Sequence, residues 1–203
     1  MDCSNPAVIK AKSEGIMLVE SQRKPRILLG ACGCIDAAKF ELLCHEFSKW
    51  ARIAVCVTES SSRFIDSAKV PEAVKFYSRP GISDSNSIKL LEWADIMVIA
   101  PLSAHTLAKI VGGICDNLLT SVVRGWDHNK PIYVAPSMHP FMWKNPLTKK
   151  HCDRIQQLGI TLMEPLLRCS ARGRYASYAM PEPSEISYTV KISHESIVTY
   201  YSL

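Results

Sequence analysis

The sequence predicts an α/β fold in one domain: a three-layer, doubly wound parallel sheet with helices on both faces. Three observations carry that prediction. Short apolar runs recur along the chain and are apolar at successive positions, the pattern of strands buried on both faces. Segments with apolar residues at helical spacing alternate with them, as the crossovers between parallel strands require. The length, 203 residues with 47% hydrophobic and 21% charged side chains, is enough for one core and matches the balance of a globular chain.

Residues 26–30 (RILLG) are the first expected strand, ending in glycine. Residues 36–50 follow as a helix, with Phe40, Leu43, Phe47 and Trp50 on one stripe. Residues 53–58 (IAVCVT) read as a second strand and run into the polar cluster 59–62; residues 74–77 give a short third. A helix over 87–93 leads to the strongest strand, 95–102 (DIMVIAPL), and then to helices over 103–111 and 116–124. Residues 131–136 (PIYVAP) form a further strand, 148–158 a helix and 160–163 a short strand. Residues 1–24 are expected to be a flexible N-terminal tail and 25–203 the folded domain, with a helix or irregular cover after residue 182. No internal repeat and no second domain is evident.

A net charge of +5, without a basic run of five residues, argues against a nucleic-acid partner. No apolar run reaches 18 residues, so no membrane span is expected. The eight cysteines form no C-x-x-C, which removes a metal cluster of finger spacing. Several lie in apolar runs, such as Cys56 between Val55 and Val57, where a free thiol acts as a small hydrophobe. With no signal-peptide pattern in the first 24 residues, a reducing, cytoplasmic setting is expected.

In a doubly wound sheet, ligands sit where the carboxyl ends of the strands meet the following helices. That rule selects residues 30–36, 58–62, 101–106 and 136–143. The first loop (GACGCID) follows a strand and opens a helix, so its N–H groups could cradle an anion. Hydroxyls crowd the second loop (TESSS); Ser103 and Thr106 stand at a helix start in the third. In both places the hydroxyls either cap a helix or meet a ligand. The fourth loop (PSMHPFMW) suits a flat-ring pocket or a packed corner.

The four loops together resemble the flavin-containing cysteine decarboxylase (HFCD) family, in particular its plant phosphopantothenoylcysteine decarboxylases. The stretches that carry the resemblance are APLSAHTLAK (100–109), GGICDNLL (112–119), APSMHPFMW (135–143) and ARGRYASYAM (171–180). The resemblance implies a homotrimer of flavodoxin-like subunits that holds FMN at a subunit junction. It places cofactor contacts on Gly33, Cys34, Thr58, Ser60, Ser103, Ala104, Thr106 and Met138, with Phe64 beside them.

The same resemblance exposes departures. Where the family pattern has a catalytic histidine, this chain has Ser87; where it has a substrate-holding asparagine, His139; where it has a reducing cysteine, Arg172. Arg174 replaces an aspartate, and Ala176 and Tyr178 replace glycines. Serine is no general base at neutral pH without a partner, and a guanidinium is redox inert. Asp36 stands at the first helix start, where the family pattern is small and apolar; it either opposes a phosphate there or turns away. The expectation is a repurposed flavin-dependent enzyme that oxidises a different small molecule, with or without decarboxylation. Arg172 and Arg174 would suit an anionic substrate, and histidine, as at position 139, is the side chain that changes charge near neutral pH. The alternative is a catalytically inactive regulatory or partner subunit.

Overall fold

The computed structural model describes residues 23–77, 84–169 and 176–201. Its centre is a six-stranded, all-parallel sheet: β1 (Arg26–Ala31), β2 (Arg52–Val57), β3 (Lys75–Tyr77), β4 (Ile96–Leu102), β5 (Ile132–Pro136) and β6 (Thr161–Leu162), in the order β3-β2-β1-β4-β5-β6. Without the three-residue edge strand β3 the order reads 2-1-3-4-5, the flavodoxin-like arrangement. The chain reverses its direction of winding between β1 and β4, which are neighbours although two strands separate them in sequence.

Alternation along the strands divides the core into two layers. Ile27, Leu29, Ile53, Val55, Ile96 and Val98 face one side. There α1 (Phe40–Ser48) covers them with Phe40, Leu43 and Phe47, helped by Ile186 and Val190 of α7 (Pro183–Tyr201). The indole N–H of Trp50 donates to Ser187 Oγ at 2.9 Å and ties α7 to the end of α1. On the other face Leu28, Ala54, Met97 and Ile99 meet α2 (Asp84–Trp93), α3 (Ala104–Gly112), α4 (Leu118–Arg124) and α6 (Pro146–Gln157). The four central strands β1, β2, β4 and β5 are buried on both sides almost throughout, which is why none of them shows apolar–polar alternation.

Three local features differ from the sequence reading. The helix expected over 36–50 begins as a 3-10 turn, Ile35–Lys39, before α1 takes over. A short helix, α5 (Pro140–Trp143), and an antiparallel hairpin of β7 (Leu166–Cys169) and β8 (Ala176–Ala179) were not anticipated. The segment after residue 182 is α7. The tail expected over residues 1–24 lies almost wholly outside the described residues, as do Arg172 and Arg174.

Candidate functional site

All six strands point the same way, so the loops after β1, β2, β4 and β5 meet along one edge of the sheet. Backbone hydrogen bonds fix their spacing: Cys32 N–H donates to Pro101 O at 3.0 Å, Thr58 N–H to Ala31 O at 3.0 Å, and Ser137 N–H to Leu102 O at 2.9 Å. Gly33 and Ser60 are in close approach. A Cβ on Gly33 would stand 2.4 Å from Ser60 Oγ, so no larger residue fits without a shift. Ser60 Oγ is 3.2 Å from Thr58 Oγ1, and Ser61 Oγ donates to Thr58 O at 2.6 Å. None of the second-loop hydroxyls caps a helix: the 3-10 turn after Thr58 has no side-chain cap. They are a local cluster with an exposed member, Ser60.

Ser103 does cap. Its Oγ accepts from Thr106 N–H at 3.2 Å and donates to Thr106 Oγ1 at 3.2 Å, so the start of α3 holds two ordered hydroxyls. Ala104 and His105 occupy the first turn, whose N–H groups have no carbonyl partner within the helix. The far end of α3 closes on Gly113 in the left-handed region, φ 71°, a conformation glycine adopts without penalty. The Cys32 thiol lies against Thr106 and Ser103. Burial raises the Cys32 thiol, and burial pushes Cys34, which meets Ser137, up to about 12. Both stay neutral at physiological pH. They add no negative charge to this edge and no nucleophile.

Asp36 turns away from the loop's outer surface. Its carboxylate is buried, and Oδ2 accepts from Ser137 Oγ at 2.7 Å and from Met180 N–H at 3.0 Å. It neither caps the helix nor faces outward; it joins the β1 loop to the end of β5 and to the residue after β8. Beside it, Met138 exchanges two backbone hydrogen bonds with Tyr178, at 2.9 and 3.0 Å. The β7–β8 hairpin is therefore fastened to the fourth loop. Sequence reasoning missed Ser137 and Met180 and, for Tyr178, noted only the replaced glycine and not the bridge to Met138, because their partners lie on distant segments.

His139 is the N-cap of α5 and is exposed. Its Nδ1 accepts from Phe141 N–H at 3.2 Å, so the neutral ring carries its proton on Nε2 and presents it as a donor. Phe64 sits just beyond the second loop, about one-third exposed (37%), beside Arg63. Gly33, Cys34, Thr58, Ser60, Ser103, Ala104, Thr106 and Met138 thus share one edge. Ser87 is half-buried on α2, the crossover from β3. His139 leaves the sheet after β5, on the other side of the β1–β4 junction.

Next to the hairpin lies a cavity of about 580 Å3, with Trp143 and Tyr178 among its walls. Their rings stack with centroids 5.3 Å apart and planes 29° apart. Among the described residues no helix is long and apolar enough to cross a membrane, and no cluster of His, Cys, Asp and Glu could hold a metal ion.

Comparison with known proteins completes the description. The family model described as Flavoprotein matches residues 17–193. Phosphopantothenoylcysteine decarboxylase HAL3a of Glycine max is 48% identical over 196 residues, covering 93% of this chain and 93% of that protein. A solved structure of a mutant PPC decarboxylase complexed with pantothenoylaminoethenethiol superposes with a TM-score of 0.79 at 48% identity, over 85% of this chain and 100% of its own. The FMN binding protein AtHal3 does so with a TM-score of 0.79 at 46% identity, over 86% and 98%.

Proposed function

This chain belongs to the Flavoprotein family, and from that premise we propose that it binds FMN along the strand-end edge and acts as a flavin-dependent enzyme on a small molecule. The observation that carries the proposal is the convergence of the Thr58–Ser60 hydroxyls, the Gly33 backbone and the capped start of α3 on one edge. Hydroxyls and first-turn N–H groups are the donors a phosphate ester needs, and Asp36, turned inward, does not oppose it. Met138 and the β5 loop would border the flavin ring. When bound, FMN supplies two-electron redox chemistry.

The chain's own residues set what is done with it. His139 would orient the substrate by donating a hydrogen bond from Nε2–H, and Arg172 would hold an anionic group. Ser87 is a polar wall rather than a base, unless another group takes its proton. We propose a homotrimer as the working form. Exposed apolar side chains beside the edge support a covering subunit: Ile35 at 72%, Phe141 at 84% and Met142 at 55%. The described cysteines, all free, support a cytoplasmic, reducing setting.

The substrate we propose is not phosphopantothenoylcysteine, because Ser87, His139 and Arg172 stand at the three positions where the resembled pattern places its reacting groups. A carbon dioxide assay on that substrate tests this. Release no faster than from a protein-free blank is expected; release at the rate of an intact relative would contradict the proposal. The engagement of His139 Nδ1 in its own helix cap favours the second reading, a regulatory or partner subunit. Anaerobic bleaching of the flavin by a small molecule that is recovered as its two-electron-oxidised product, at a rate above that with free FMN, would decide for the enzyme.

A further inference from the structure

We propose that the cavity walled by Trp143 and Tyr178 is the substrate pocket, that it takes a flat-ringed small molecule with a charged group at the rim, and that Tyr178 sets this selectivity. The proposal rests on the flavoenzyme reading above and names its substrate class. The cavity, about 580 Å3, falls within the roughly 300–1,000 Å3 of small-molecule sites. It is built from α5, α6, β6 and β8, apart from the hydroxyl-lined loops after β1, β2 and β4. Tyr178 joins the two regions. Its backbone N–H and C=O are both bonded to Met138, while its ring lines the cavity. A molecule in the cavity therefore rests against the residue that fastens the hairpin to the fourth loop.

The shape of the walls selects a flat ring. Trp143 and Tyr178 already stack, and a third ring laid on an outer face continues an arrangement that aromatic groups prefer. Leu162 and Cys152 also line the cavity. Burial raises the Cys152 thiol, so it stays neutral and offers apolar contact rather than a nucleophile.

The rim admits a charged group of either sign. Lys149 is paired with Asp153 at 3.2 Å, whereas Lys144 and Glu164 line the cavity without ion-pair partners among the described residues. Lys144 matches a carboxylate and Glu164 an ammonium, so the flat face of the ring, not the sign of its charge, decides entry.

The test is fluorine NMR on the FMN-loaded protein with 4-fluorophenylacetate as the probe. Two competitors separate ring from charge: cyclohexylacetate, with the same charge and no flat face, and 2-(4-fluorophenyl)ethylamine, with the same ring and the opposite charge. The probe is expected to bind, with cyclohexylacetate about fivefold weaker or worse and the ethylamine within about threefold. Tyr178→Gly and Trp143→Leu should weaken the probe about tenfold. Tyr178→Phe should stay within about twofold, since the ring is kept, and Lys144→Gln should cost about threefold. The flavin absorbance of each sample reports cofactor binding separately. Absence of probe binding with flavin retained overturns the pocket alone, and absence of flavin overturns the underlying reading. Equal affinity for all three compounds, or full binding to Tyr178→Gly, also overturns the proposal.

Discussion

At the scale of single residues, Asp36 is where local context says least. An acid in the first turn after a strand reads as a cap or as an obstacle to an anion. Its partners, Ser137 and Met180, stand 101 and 144 positions away, and nothing in its own segment announces them. Asp36→Ala leaves two buried donors without an acceptor and should cost about 2–4 kcal/mol, against about 1 kcal/mol for Asp36→Asn, which keeps an oxygen in place. Urea unfolding of both variants checks the order; equal losses would mean that Asp36 acts through charge and not through these two bonds. Gly33 offers a second test. A methyl group there overlaps Ser60, so Gly33→Ala should lose about 1–3 kcal/mol and weaken FMN. Ser60→Gly should restore only part of the loss, because the Ser60 carbonyl carbon also lies 2.8 Å from the added Cβ. For His139, replacement by Asn should leave flavin bound and lower turnover about 10²-fold; unchanged turnover would reduce it to the cap of α5.

The elements divide by how far their pattern depends on distant partners. β4 and α3 were legible, since an unbroken apolar run ends in a serine that caps the next helix. The hairpin was not. β7 and β8 are four residues each, and β7 is partly exposed. Their register comes from pairing with each other and from the Met138–Tyr178 bridge. The start of the sheet carries a pH-sensitive tie: Asp95, just before β4, is bonded by Arg23 at 2.9 Å and by Arg26 at 3.0 Å. Partial burial works to raise its carboxyl, but the hydrogen bonds from Arg23 and Arg26 outweigh it and hold the carboxyl well below the usual carboxylate range. A depressed folded value means that the stabilisation is complete above the unfolded value, about pH 4, and is lost as pH falls below it. Asp95→Asn should therefore be less stable than the parent at pH 7 and show a flatter loss below about pH 4. Parallel acid-unfolding curves would remove Asp95 from the account.

At the scale of the whole molecule, the doubly wound sheet was readable because its four central strands, apolar on both faces and separated by helices, need cover on both sides. The rule that ligands gather at the carboxyl ends then located the edge before any contact was known. What pattern alone does not yield is the turn of Asp36 into the interior, or the cavity behind Tyr178, because each depends on segments brought together only by the fold. The exposed apolar residues around the edge lead to a prediction at this scale. On the proposed trimer, Phe141→Asp should shift the protein to monomer and release flavin with it; assembly that persists with full flavin would place the interface elsewhere.

The claim on which the rest depends is that the strand-end edge holds FMN, and a fluorescence titration of FMN with flavin-free protein tests it most directly. The account predicts that flavin emission is quenched to an end point of one FMN per chain, and that Gly33→Ala shifts the curve to weaker binding. Emission that stays unquenched at micromolar protein, or quenching that Gly33→Ala leaves unchanged, would contradict it.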